Sequence, residues 1–168
     1  MYKRQSLDLA RGAVGAIAAG YLEAGDRVGF QDLVHVRGSV RTGAGRRQLE
    51  RIRAVAAEAV ARPDGYPRSP TLPSRAIVFL LSTFLDDDVA RLAVLWRAAG
   101  HRVVAVDVLP DAQLDGVEER QRLAHRILLL ERANRLERLR AVDVLVIRWA
   151  DPDRDVRLRE ASRQRSRR

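Results

Sequence analysis

Residues 75–82, RAIVFLLS, constrain the fold more than any other stretch. Ala76 to Leu81 is an unbroken apolar run between a Pro- and Ser-rich approach and the polar pair Ser82-Thr83. A strand with one wet face alternates apolar and polar residues, and this one does not. A continuous Val/Ile/Leu/Phe run of this length suits a strand covered on both faces, as in a parallel sheet flanked by helices. The run is closed by a helix-start signal, Asp86-Asp87-Asp88, followed by an amphipathic segment over 89–99. Strand, polar turn and acid-capped helix form half of a βαβ unit. The rest of the chain reads as elements packed around this central strand.

Two later runs repeat the pattern: 102–109, RVVAVDVL, stopped by Pro110, and 142–149, VDVLVIRW. The three strands are separated by helices. Right-handed crossovers then predict parallel neighbours with helices on both faces. The second crossover is a long helix over 115–140, with Leu123, Ile127, Leu130, Ala133, Leu136 and Leu139 as its apolar stripe. Glu118, Glu119, Glu131 and Glu137 stand at helical spacing from arginines.

Ahead of the central strand, residues 6–22 read as a helix capped by Ser6, with Asp8 in its first turn. Gly12, Gly15 and Gly20 allow it to pack closely on a sheet. A short strand follows at 27–31. A second, at 34–40, alternates Val34 and Val36 with His35 and Arg37, which marks a half-exposed edge antiparallel to its neighbour. Residues 41–45 form a turn into a helix reaching 61, buried through Leu49, Ile52, Val55, Ala56 and Val60. Pro63, Pro67, Pro70 and Pro73 keep 62–74 irregular. The chain is expected to be one domain over 1–150, followed by a basic tail over 151–168. That tail has only Val156 and Leu158 as large apolar residues and is expected to be frayed or disordered.

Composition removes several functional classes. No apolar run approaches the roughly 18 residues that span a bilayer. The start, MYKRQSLDLARG, leads into an amphipathic pattern rather than a secretory signal. The absence of Cys excludes disulfides and thiolate chemistry. A net charge of +9 and a pI near 11.2 invite a nucleic-acid partner. Lys3, however, is the only lysine among 31 basic residues, the skew of a GC-rich genome. Aromatic residues are 5% of the chain, too few for base-stacking platforms. A solvated Arg-rich surface is the expectation, with no nucleic-acid partner.

Candidate site residues are sparse. Ser82 and Thr83 stand beyond the carboxyl end of a strand, where α/β folds bind ligands. They lack a nucleophile elbow and an evident base, so a hydroxyl contact is what they offer. Asp86, Asp87 and Asp88 could hold a cation, but an acidic helix N-terminus accounts for them. His35, His101 and His125 fall in separate elements without ligand-spaced partners. Gly43-Ala44-Gly45 precedes a helix but lacks the Gly-Lys-Ser/Thr end of a P-loop. Asp107 and Asp143 interrupt apolar strands, and each calls for an Arg partner.

Several segments carry a resemblance. They are RQSLDLA at 4–10, AGDRVGF at 24–30, GRRQL at 45–49, the apolar run 77–82, GHRVVAVDVLP at 100–110 and LLLER at 128–132. In this order they resemble a bacterial family, the domain of unknown function fifty-eight, a von Willebrand factor A-like domain, over residues 4–150. GDRVG is the most specific piece. The resemblance implies an α/β, Rossmann-like von Willebrand A-type sheet, mostly parallel with an antiparallel edge strand. It implies a non-enzymatic protein-interaction module partnering a MoxR-type AAA+ ATPase, with no cofactor and a cytoplasmic location.

Domains of this class begin with a central strand ending in Asp-x-Ser-x-Ser, which supplies a metal-ion-dependent adhesion site. This chain starts after that motif, so the sheet is expected to lack its first central strand. The Thr of the second loop would fall near Gly45, where Arg46 stands, with Thr42 the nearest hydroxyl. Ser82-Thr83 replaces the Asp expected after the central strand. Ligand contacts are therefore assigned to Thr42, Ser82, Thr83 and Asp86, with no catalytic residue and no metal ligand. An adhesion domain whose metal motif lies upstream and an α/β hydrolytic enzyme are the alternatives. A sheet without its first strand is also expected to self-associate through strands.

Overall fold

A computed structural model describes residues 2–35, 38–60, 65–113 and 116–163. The chain divides into two compact units, Met1–Thr71 and Leu72–Arg168. The first contains α1 (Tyr2–Glu23), β1 (Val28–Gln31), β2 (Ser39–Gly43) and α2 (Arg46–Glu58). The second contains β3 (Ile77–Ser82), α3 (Asp88–Ala98), β4 (Arg102–Asp107), α4 (Glu119–Ala141), β5 (Leu145–Arg148) and α5 (Arg154–Arg163).

In the first unit α1 begins ahead of Ser6, so that residue is buried within the helix and does not cap it. Gly25, at φ 83°, takes the left-handed conformation that ends the helix, and the Asp26 N–H returns to the Tyr21 carbonyl. The glycines were expected against a sheet, but α1 packs on α2. Arg11 donates from Nε to the Ala56 carbonyl (3.3 Å) and from Nη2 to that of Ala59 (2.8 Å). These are carbonyls at the C-terminus of α2, where a cation complements the helix dipole.

β1 and β2 pair antiparallel, as expected, but in a two-stranded sheet of their own and not as an edge of the parallel sheet. β2 starts at Ser39, not at Val34. The Asp32 carboxylate accepts the N–H groups of Val34 (2.9 Å) and His35 (3.1 Å), a turn that keeps these residues out of the ladder. Val36 and Arg37 lie outside the described residues. Gln48 locks the hairpin to α2: its buried Nε2 donates to the carbonyls of Val28 and Arg41, both at 2.7 Å. A Cβ at Gly43 would lie 2.7 Å from Gln48 Oε1, so this glycine serves close packing rather than a phosphate cradle.

In the second unit three parallel strands run in the order β3-β4-β5. β4 is central: Val103, Val104, Ala105 and Val106 are all buried, so both of its faces are covered. The run at 77–82 is therefore an edge strand, with Leu80 its only fully buried residue. Periodicity reports burial on two faces; it does not report neighbours on two edges. The crossover helices, expected on both faces, share one, where Arg135 of α4 meets Asp87 at the start of α3. Part of the expected tail is ordered: α5 packs beside β5, with Arg157 Nη2 donating to the Val146 carbonyl (2.7 Å) and Ala161 buried. No helix among the described residues is long and apolar enough to cross a membrane.

α4 departs furthest from expectation. Leu136 and Leu139 are buried, but Leu123, Ile127 and Leu130 are 59%, 50% and 60% exposed. The expected stripe runs in steps of three after Ile127. At about 100° per residue each such step falls ~60° short of a full turn. Leu139 consequently lies ~160° around the helix from Leu123. What reads as one stripe is two opposed faces.

Candidate functional site

The parallel register aligns the carboxyl ends of the strands, with Ser82 opposite Asp107 and Asp107 opposite Arg148. The rim this creates is the usual ligand position in an open α/β sheet. Here its polar groups face one another. Asp107, buried at the end of β4, accepts the Leu109 N–H (3.0 Å) and is ion-paired with Arg132 of α4. The Nε of Arg132 donates to the Thr83 carbonyl at 2.7 Å. Less than one turn further on, Arg135 Nη1 reaches the Phe84 carbonyl (3.5 Å) and its Nε the Asp87 carboxylate (2.6 Å).

These two arginines hold the β3–α3 loop in a strained shape. Phe84 is fully buried at φ 52°, a region that bulky residues avoid at a cost of about 1–3 kcal/mol. The Ser82 hydroxyl accepts the Phe84 N–H (3.0 Å) and fixes the turn from the other side. The hydrogen bond from Arg135 holds the Asp87 carboxyl below its ordinary range; desolvation opposes it, and the charges of Arg135, Arg91 and Arg138 add to the lowering. At the far end of the rim Arg148 pairs with Asp111, and the Arg154 guanidinium lies 4.8 Å from the centre of the Trp149 ring.

Three of the four sequence candidates, Ser82, Thr83 and Asp86, lie at the end of β3 and in the β3–α3 loop that follows it. The Ser82 hydroxyl accepts the Phe84 N–H, the Thr83 carbonyl accepts from Arg132 Nε, and the Asp86 carboxylate accepts the Asp88 N–H (3.2 Å). Thr42 is in the first unit, exposed on β2, with its carbonyl facing Arg27 Nη2 at 3.4 Å. Asp107 has the Arg partner its sequence context calls for. Asp143 pairs with Arg97 (3.4 Å) but is exposed and precedes β5. His35 binds Asp32 through Nδ1 (2.9 Å). Among the described residues no three His, Cys, Asp or Glu side chains gather at distances that would hold a metal ion. Sequence reasoning missed Arg132 and Arg135. Their signal was position: with Leu136 and Leu139 they share the face of α4 that turns inward.

Several large apolar side chains are exposed. Leu123, Ile127 and Leu130 stand on the outward face of α4, and Leu95 of α3 is 60% exposed beside the groove formed with Arg138 and Leu139. Comparison with protein-family models, with curated proteins and with solved structures finds no match to this chain.

Proposed function

We propose that this chain is a non-enzymatic protein-interaction module. The observation that carries the reading is the outward face of α4, where three large aliphatic side chains are at least half exposed. Exposed aliphatic residues in a row, on a helix whose C-terminal half already contributes to the core, mark a docking surface. The rim supports the same reading, because its carboxylates and guanidinia are engaged in shaping the loop. The von Willebrand A-like form of the fold belongs to this proposal. Three parallel strands in sequential order are half of a doubly wound sheet, and β3 is the edge to which a further strand would add.

The sequence resemblance names a MoxR-type AAA+ ATPase as the partner to try first. The test is co-sedimentation of the purified chain with such an ATPase, with and without nucleotide. A complex at micromolar concentration is expected. Turnover of ester, phosphate or peptide substrates by the chain alone, lost on Ser82→Ala, would overturn the reading in favour of an enzyme.

A further inference from the structure

We infer that the outward face of α4 pairs with the same face of a second copy, as a short, parallel, in-register coiled coil. The inference rests on the reading of this face as a contact surface and names what covers it. Spacing comes first. Leu123, Ile127, Leu130 and Asn134 alternate steps of four, three and four, the 3.5-residue repeat of a two-stranded seam. Counted in sevens, Leu123 and Leu130 take position d, and Ile127 and Asn134 take position a. Leu at d with β-branched Ile at a favours two strands, and a single Asn at a fixes register. All four residues are exposed.

Charge sets the orientation. Arg126 falls at g and Glu131 at e of the following heptad; both are exposed, and Glu131 also lies 3.9 Å from Arg135 on its own helix. In a parallel pair each g residue faces the e residue of the next heptad in its partner. Arg126 of each copy then meets Glu131 of the other, giving two opposite-charge pairs by symmetry, and Asn134 meets Asn134. In an antiparallel pair Arg126 would face Ala133, Glu131 would face Ala124 and Asn134 would oppose Leu123. The seam is short, because the next d position is Glu137, which pairs with Arg140 on its own helix. It buries less than the 1,200–2,000 Å² of standard interfaces, so association is expected at roughly 100 µM rather than nanomolar concentrations.

Sedimentation of the full chain between about 10 µM and 1 mM tests the inference, on the scale set by such small interfaces. A monomer–dimer equilibrium is expected. Leu130→Glu should weaken it at least tenfold with no loss of melting temperature in dilute solution. Glu131→Arg should weaken it, and the double change Arg126→Glu with Glu131→Arg should restore it. The chain has no cysteine, which gives a direct test of orientation. Asn134→Cys should oxidise to a covalent dimer in the parallel register, where the two positions face each other within disulfide reach. A chain that stays monomeric at 1 mM, even one that binds another protein through this face, overturns the inference while leaving the module reading intact. A dimer indifferent to Leu130→Glu, as pairing through the β3 edge would give, also overturns it.

Discussion

The two ends of α4 differ in composition and are opposite in fate. Its C-terminal half, from Arg132 to Leu139, turns two leucines and two arginines inward, and every one of them is held. Its N-terminal half, from Leu123 to Leu130, turns Leu123, Ile127 and Leu130 to solvent. The more charged of the two halves is thus the better buried. Arg132 and Arg135 enter because Asp107, Asp87 and two loop carbonyls satisfy them, and a buried charge is tolerated when it is paired and hydrogen-bonded. Leu123 and its neighbours stay outside because no element of the second unit lies opposite them. Burial follows available partners, not hydrophobicity alone.

The contrast can be broken most sharply at Asp107. Asp107→Ala leaves Arg132 without its ion-pair partner, and removing one member of a buried pair is expected to cost about 3–5 kcal/mol. Chemical denaturation of the variant measures this. A loss below 1 kcal/mol would mean that Arg132 reaches water and that the inward half of the helix is not sealed.

A paired set of truncations comes next. Leu139→Ala is expected to cost about 2–5 kcal/mol, as for other buried leucines. Leu130→Ala should change the stability of the monomer by no more than about 0.5 kcal/mol. Equal losses at the two positions would erase the distinction between the halves.

Amide hydrogen exchange sharpens the contrast without mutation. In dilute solution the amides of 123–128 should exchange through local opening well before those of 135–140, since few buried contacts restrain the first half. Raising the protein to the concentration at which α4 pairs should slow the first group and leave the second unchanged.

The smallest effect is expected at Asp87. Its carboxyl titrates below the ordinary range because Arg135 donates to it. A group whose folded pKa is depressed adds stability above its unfolded value, about 3.9, and loses that contribution as the pH falls through the folded value. Wild type and Asp87→Asn should therefore differ at pH 7 and converge on acidification. Asp87 is nearly half exposed, so the difference should be small and should shrink in high salt.

Much of the fold is legible in the sequence, because periodicity and turn residues act locally. The strands at 77–82 and 102–107, the acid-led start of α3 and the irregular stretch over 65–74 follow from residues within a few positions of each other. Asp107 could be read as a buried carboxylate in need of an arginine, since it interrupts an otherwise apolar strand. Which arginine answers it could not, because Arg132 is distant in sequence and the chain offers many others. Ser82 and Thr83 were legible as neighbours of a strand end, whereas the engagement of the Ser82 hydroxyl with the Phe84 N–H and of the Thr83 carbonyl with Arg132 depends on a loop conformation with φ 52° at a phenylalanine.

By itself, then, the sequence determined that this chain alternates apolar strands with helices and carries no thiol chemistry. Tertiary structure decided that β4 and not β3 is central, because edge neighbours are set by chain topology and leave no mark on a strand's own pattern. It also decided which face of α4 is core. A helix with apolar residues on opposed sides can bury either one, and the choice fell to the side where Asp107 and the strained β3–α3 loop offered partners for two arginines.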